Sequence, residues 1–171
     1  MNADPKMVKD FHMFADGSSY LGLVQNVEPP KITRKTEEVM NGGMIAPAEV
    51  PMHLEKLEGS FTTNEFSRSL LLLYGHTSLS GILLRLCLAT ENHGPGAKVE
   101  PVEYVWRGMM KSIDPGTIER GKKTEVKHEF ALTYFKQNVG GVTVFEIDTY
   151  NYVFKVGEQD IYAAYRTALG L

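Results

Sequence analysis

The chain has 171 residues, 43% hydrophobic and 23% charged, the proportions of a soluble globular protein with one sizeable core. Its formal net charge of −3 counts against a nucleic-acid binder, because such domains concentrate Lys and Arg. The single cysteine, Cys87, excludes an intrachain disulfide and leaves the chain indifferent to redox compartment; inside the apolar run 82–88 it reads as a buried, inert thiol.

The predicted elements are mostly strands. Asp16-Gly17, set between Phe11-His12-Met13-Phe14 and Tyr20-Leu21-Gly22-Leu23-Val24, predicts a hairpin, since Asp-Gly accepts the positive φ angles of a tight turn. Pro29-Pro30 then interrupts pairing, because proline brings no ladder donor. Residues 31–39 are polar and charged on both faces, unusual for a strand packed inside a monomer. Residues 41–53 carry two glycines and two prolines and predict a loop, yet Met44, Ile45, Val50 and Met52 are apolar. Either that loop folds back on its own domain, or its apolar side chains are covered by something else.

Thr62-x-x-Glu65 fits a capping box opening a short helix through Leu70–Tyr74, with Gly75 as its stop. Residues 80–90 predict a strand with Ile82, Leu84, Leu86 and Leu88 on one face and Leu83, Arg85 and Cys87 on the other. Asn92-His93-Gly94-Pro95-Gly96 is a turn, and 99–114 a second long strand holding the only tryptophan, Trp106. In 124–137, alternation places Val126, Phe130, Leu132 and Tyr134 on one face and Glu125, Lys127, Glu129 and Thr133 on the other. Gly140-Gly141 turns the chain into 142–147. Residues 160–169 predict a terminal helix after an Asp cap, with Ile161, Ala164, Tyr165 and Ala168 at helical spacing and Gly170 ending it. Many short strands with one central and one C-terminal helix imply a mainly β fold, a sandwich or small barrel, in a single domain over 1–171.

Chemistry is hard to find. The five histidines, His12, His53, His76, His93 and His128, are scattered without metal-ligand spacing. Glu37-Glu38, Glu146 with Asp148, and Glu125 with Glu129 could be read as acid/base pairs, but no histidine, metal motif or oxyanion donor accompanies them. A solvated face is the expected reading, and neither catalysis nor a cofactor is expected. Residues 1–6 lack the apolar stretch of a secretory signal, and the longest apolar run, 70–74, is too short to span a bilayer. No membrane anchoring is expected, and synthesis in a cytoplasm is.

A series of short motifs runs through the chain: Asp16-Gly17-Ser18-Ser19-Tyr20-Leu21-Gly22, Pro30-Lys31-Ile32-Thr33-Arg34-Lys35-Thr36-Glu37, Gly42-Gly43-Met44, Arg107-Gly108-Met109-Met110-Lys111-Ser112-Ile113-Asp114-Pro115-Gly116, Thr124-Glu125-Val126-Lys127, Thr133-Tyr134-Phe135, Glu146-Ile147-Asp148 and Arg166-Thr167-Ala168-Leu169-Gly170-Leu171. In this order the series resembles the major tail tube protein of contractile-tailed phages and phage-tail-like bacteriocins. The resemblance implies a β-barrel-like domain of two packed sheets that joins copies of itself in hexameric rings stacked into a helical tube. It also implies sheath, baseplate and tape-measure proteins as partners, a place in the virion tail after assembly in a host bacterial cytoplasm, and transient passage of DNA. Edge-to-edge pairing would remove open sheet edges, and a heterologous ring-on-ring contact would yield a filament.

Under that resemblance the stretch at about 40–56 corresponds to an extended loop between subunits, so Gly42, Gly43, Met44, Ile45, Val50 and Met52 become stacking residues. A bore that conducts DNA should be acidic, since each Lys or Arg on phosphate adds affinity. Glu28, Glu37, Glu125 and Glu129 are the candidates for it. Two alternatives remain: a ligand-binding barrel of the lipocalin kind, which expects a tryptophan near the first strand rather than at Trp106, and a type VI secretion tube.

Overall fold

The computed structural model describes residues 5–94 and 96–171. Residues 1–4 and Pro95 lie outside the described residues, and with them most of the N-terminal leader reading and the proline of the 92–96 turn. The elements in chain order are β1 (Lys6–Ala15), β2 (Ser18–Ser19), β3 (Val24–Glu28), β4 (Arg34–Val39), β5 (Ala48–Leu54), β6 (Leu57–Thr63), α1 (Arg68–Leu72) with a 3-10 turn (Leu73–Gly75), β7 (Ile82–Asn92), β8 (Val99–Asp114), β9 (Val126–Val139), β10 (Val142–Asp148), β11 (Val153–Val156), β12 (Gln159–Asp160) and α2 (Ala163–Leu169). The mainly β class with a central and a C-terminal helix is the one observed.

Every strand pair is antiparallel, and the sheet forks. Its long path runs β2-β1-β7-β8-β9-β10-β11-β12, while β6 also pairs with β9 and carries β3 on its far side. The first half of β9 pairs with β6, from Val126↔Thr63 to Leu132↔Leu57. The second half pairs with β10, from Tyr134↔Asp148 to Val139↔Val142. One strand therefore serves two wings. Their inner faces meet in a single core that includes Met13, Phe61, Trp106, Phe130, Phe135 and Phe154, with Leu70 of α1 closing one end.

The core follows period-2 burial, as alternating strands require. Ile82, Leu84 and Leu86 are buried in β7, as expected, while Cys87 is half-buried on the outward face rather than inside. Burial still pushes its thiol pKa up, against the weaker pull of Arg85, so it is no ready thiolate. In β9 the buried positions are Val126, His128, Phe130 and Leu132, and then Phe135. The phase changes at a bulge: Arg107 faces Tyr134 and Gly108 faces Leu132, leaving Thr133 as the extra residue. Tyr134, expected on the inner face, is thereby turned outward and donates its hydroxyl to Glu146 Oε1 at 3.1 Å. Gly108 sits at this bulge with no room for a side chain: a Cβ there would lie 2.1 Å from the Ala131 carbonyl oxygen.

Both two-residue turns form, but the second arm of the first hairpin is only Ser18–Ser19: residues 20–23, expected to continue it, lie in no strand, and Val24 begins β3, which pairs with β6 instead. Asp16-Gly17 (φ 47° and 78°) joins β1 to β2, and Gly140-Gly141 (φ 58° and 82°) joins β9 to β10. The capping box does not form. Thr62 and Thr63 belong to β6, whose pairing with β9 outcompetes the local signal, and α1 starts at Arg68 after Ser67. At the C-terminus, α2 starts at Ala163; Asp160 lies in β12 and accepts the backbone N–H of Tyr162 instead of capping the helix. Gly170 closes α2 in the left-handed region (φ 72°), as expected. No residue of α2 is buried. Ile161 and Tyr162, just before it, pack on the core, while Ala164, Tyr165 and Ala168 face outward.

Candidate assembly surfaces

Three surfaces of this chain are unfinished. The first is an arm. β4 and β5 pair only with each other, as a separate two-stranded ribbon, with Arg34↔Leu54, Glu37↔Val50, Glu38↔Glu49 and Val39↔Ala48 opposite one another. Within the stretch expected as loop, residues 48–54 are thus strand. Pro51 masked it in the sequence, but a two-stranded ribbon has two outer edges, where a missing donor is tolerated. The base is fixed: Glu55 N–H donates to Thr33 C=O at 2.8 Å, the Arg34 guanidinium lies 5.5 Å from the Phe154 ring centroid, and Ile32 and Leu54 pack on the core.

Beyond its base the arm is bare. Directly opposed residues share a face, so Val39, Ala48 and Val50 line one side with Glu37, while Glu38 and Glu49 line the other. The tip turns at Asn41-Gly42-Gly43-Met44: Met44 N–H donates to Asn41 C=O at 3.1 Å, and Gly43 takes φ 89°, which its lack of a Cβ permits. Asn41 N–H lies 3.2 Å from Met44 Sδ, so Met44 curls back and is half-buried. Ile45 is fully exposed at 104%, with Met40 at 64%, Met52 at 49% and Val50 at 43%. The structure therefore separates Met44, part of the tip, from Ile45, which touches little.

The second surface is the acidic one. Glu28 on β3 accepts Ser60 Oγ at 2.6 Å and lies 3.3 Å from Lys127 Nζ; the Ser60 hydrogen bond, then Lys127, hold its pKa below the usual carboxylate range. Lys127 also sits 3.8 Å from Glu129, which accepts Ser112 Oγ at 2.7 Å. The fold thus brings Glu28 and Glu129 together around one lysine. Glu125 does not share their strand: it lies one residue before β9, exposed. Glu37 is far off in the chain's pairing scheme, on the arm.

The third surface comprises open sheet edges, which sequence reasoning did not single out; besides the β11–β12 end, two of them are longer. β1 pairs outward with β2 only at Phe14 and Ala15, so residues 6–12 have an unpaired side, with Met7 58% and Val8 57% exposed. β3 pairs only with β6 among the described residues. An edge strand is not visible as such in one sequence, because a ladder's free side depends on chain order in the sheet. The exposed valine and methionine in Met7-Val8 were the available hint.

Among the described residues no cluster of three His, Cys, Asp or Glu could hold a metal ion. His128 is the one buried histidine. Its Nε2 lies 3.2 Å from Thr63 Oγ1, whose own proton goes to Glu65 C=O at 3.1 Å, so the network assigns the imidazole its proton on Nε2 and leaves Nδ1 a bare, buried acceptor. Burial pushes its pKa down to about 4. The interior is filled by Trp106 and the phenylalanines, where a lipocalin would keep a ligand cavity.

The chain has relatives in sequence and in fold. The chain is 33% identical over 172 residues to the "Tail tube protein" of Escherichia phage P2, covering 99% of both chains. It is 31% identical over 162 residues to the "Major tail tube protein" of Serratia phage KSP20, covering 94% of this chain and 92% of that one. Two cryo-EM structures of the extracellular contractile injection system PVC share the fold at 10% identity. One is a sheath/tube terminator (TM-score 0.60, 78% of this chain and 96% of that chain) and the other a sheath–tube complex (TM-score 0.61, 78% and 91%), both in the extended state. The profile of phage tail tube protein FII matches residues 5–170, and the chain belongs to that family.

Proposed function

We propose that copies of this chain close into hexameric rings and stack into the hollow tube of a contractile phage tail or tailocin, through which DNA passes or with which the envelope is punctured when the sheath contracts. The observation that carries this reading is the arm: a ribbon hydrogen-bonded only to itself, presenting Ile45, Val50 and Met52 to water. Apolar surface of this kind is stabilised by coverage, at about 25 cal/mol per Å². In a lone subunit nothing covers it; in a stack the next ring does. Gly42 and Gly43 then set the tip's turn, while Ile45, Val50 and Met52 make the contact.

The open edges of β1 and β3 are the sites for pairing around the ring, which would convert a forked sheet with free edges into a closed wall. Sheath, baseplate and tape-measure proteins are the remaining partners, and assembly takes place in the host bacterial cytoplasm. The role is structural and uses no cofactor. Glu28, Glu37, Glu125 and Glu129 remain the acidic groups proposed for the bore; with Lys127 shared between Glu28 and Glu129, that patch would repel phosphate weakly but bind it hardly at all.

The test is negative-stain microscopy with mass photometry of the purified protein. Rings of six and hollow filaments are expected. A uniformly monomeric species at all concentrations refutes the reading.

A further inference from the structure

Beyond Arg34 and Lys35 at its base, the arm is acidic. Between Lys35 and Lys56 the chain carries Glu37, Glu38, Glu49 and Glu55 and no lysine or arginine. Glu38 lies directly opposite Glu49 in the ribbon, a like-charge pair that weakens the hairpin. Among the described residues neither of these two, nor Glu37, has a cationic partner within ion-pair distance. An arm of this kind is complementary to a basic surface.

The matching surface is the connection between β8 and β9, residues 115–125. It holds Arg120, Lys122 and Lys123 within four positions, and Ile118 on it is 73% exposed. The connection has a defined shape. The Asp114 carboxylate accepts Gly116 N–H at 2.9 Å, Gly116 takes φ 61°, and Glu119 C=O accepts Lys122 N–H at 3.2 Å. Glu119 also pairs with Lys122 at 2.5 Å, which leaves Arg120 and Lys123 without an acidic partner among the described residues. Each element carries an exposed isoleucine beside its charges: acid with Ile45 on one, base with Ile118 on the other.

We propose that the arm of one copy docks on the β8–β9 connection of a second copy, Glu38 and Glu49 facing Arg120 and Lys123, with Ile45 and Ile118 closing the contact. The inference rests on the tube reading, which supplies the second copy. The seven residues of β5 carry the tip about 20 Å beyond the arm's base, far enough to reach a neighbour. The contact is heterologous, so it does not saturate in a dimer, and where its rotation does not close into a ring it propagates along a filament.

Charge exchange tests it. E38K/E49K makes an arm that repels the wild-type connection, and R120E/K123E makes a connection that repels the wild-type arm. All four positions are exposed, so both variants fold, as circular dichroism will verify. Each variant alone is expected to need at least about tenfold more protein than wild type to form filaments, read by sedimentation and microscopy. Mixed one to one, they are expected to co-polymerise near the wild-type threshold, because every arm then finds an opposite connection on the other variant. Filaments from either variant alone at the wild-type threshold overturn the pairing, as does a mixture of two folded variants that still fails. Wild-type protein that never polymerises overturns the tube reading itself, a separate outcome.

Discussion

Ile45→Asp separates assembly from folding more cleanly than any other change in this chain. The side chain is fully exposed, so the free subunit loses no packing. Surface substitutions of this kind shift stability by about 0.5 kcal/mol or less. In the tube, burial of Ile45 is worth about 2 kcal/mol, and a carboxylate left without a partner in its place costs about as much again. The sum, about 4 kcal/mol per arm, raises the threshold for filament growth by about a thousandfold. Ile45→Ser, which adds no charge, is expected to lose only the first half, about thirtyfold. The assay pairs urea unfolding of dilute subunits with sedimentation of concentrated ones. An Ile45→Asp protein that elongates at the wild-type threshold refutes the arm's role. A change of more than about 1 kcal/mol in the subunit's own stability refutes the premise that the side chain is free. Met44→Asp is the contrast, since Met44 braces the tip and its loss should disorder the turn before it affects contact.

Gly108→Ala forces a Cβ to within 2.1 Å of the Ala131 carbonyl oxygen, which is backbone and cannot swing away; a loss of about 3 kcal/mol and a Tm lower by about 6–12 °C are expected by calorimetry, and a shift under about 2 °C would show that the bulge yields. His128 has a folded pKa depressed to about 4, below its value in the unfolded chain, so the unfolded state binds the extra proton and stability falls as pH drops from about 6.5 towards 4. Between pH 7 and pH 5 the subunit should lose about 2 kcal/mol in urea titrations, and His128→Leu should abolish that slope; an unchanged slope refutes the assignment. Arg166 donates to Tyr152 C=O at 2.9 Å and pairs with Asp160, tying α2 to the 149–152 turn, where Tyr152 holds φ 54°. In Arg166→Ala, amide exchange should accelerate in α2 and in that turn while the β8–β9 ladder stays protected, and uniform protection would mean that the clamp carries no weight.

Much of this fold is legible from residues that act locally. Asp16-Gly17 and Gly140-Gly141 announce their hairpins because positive φ at both turn positions suits few other pairs. The alternation 82–88 announces a strand with one buried face. What fails is where a distant partner overrides the local signal. Thr62 and Thr63 look like a helix start but are claimed by β9, and Tyr134 looks inward until Arg107 and Gly108 impose a bulge. The same distinction governs the assembly surfaces. The misplaced apolar residues at 44–52 mark the arm in the sequence, but its ribbon form is hidden by Pro51. The grouping of Glu28 with Glu129 could not be read at all, since it depends on β3 reaching β9's neighbourhood through β6.

The bulge at Thr133 has a consequence for how this strand tolerates change. Upstream of it, even-numbered side chains point to the interior; downstream, odd-numbered ones do. Swapping the residue at 133 for another leaves that switch in place. Deleting the position would leave Leu132, Tyr134 and Phe135 alternating in, out, in, opposite Gly108, Arg107 and Trp106, so the ladder closes up with both wings keeping their buried faces; a further residue inserted there would turn Phe135 outward. In a lineage of such chains, this site should vary freely in letter and tolerate the loss of a residue more readily than the gain of one.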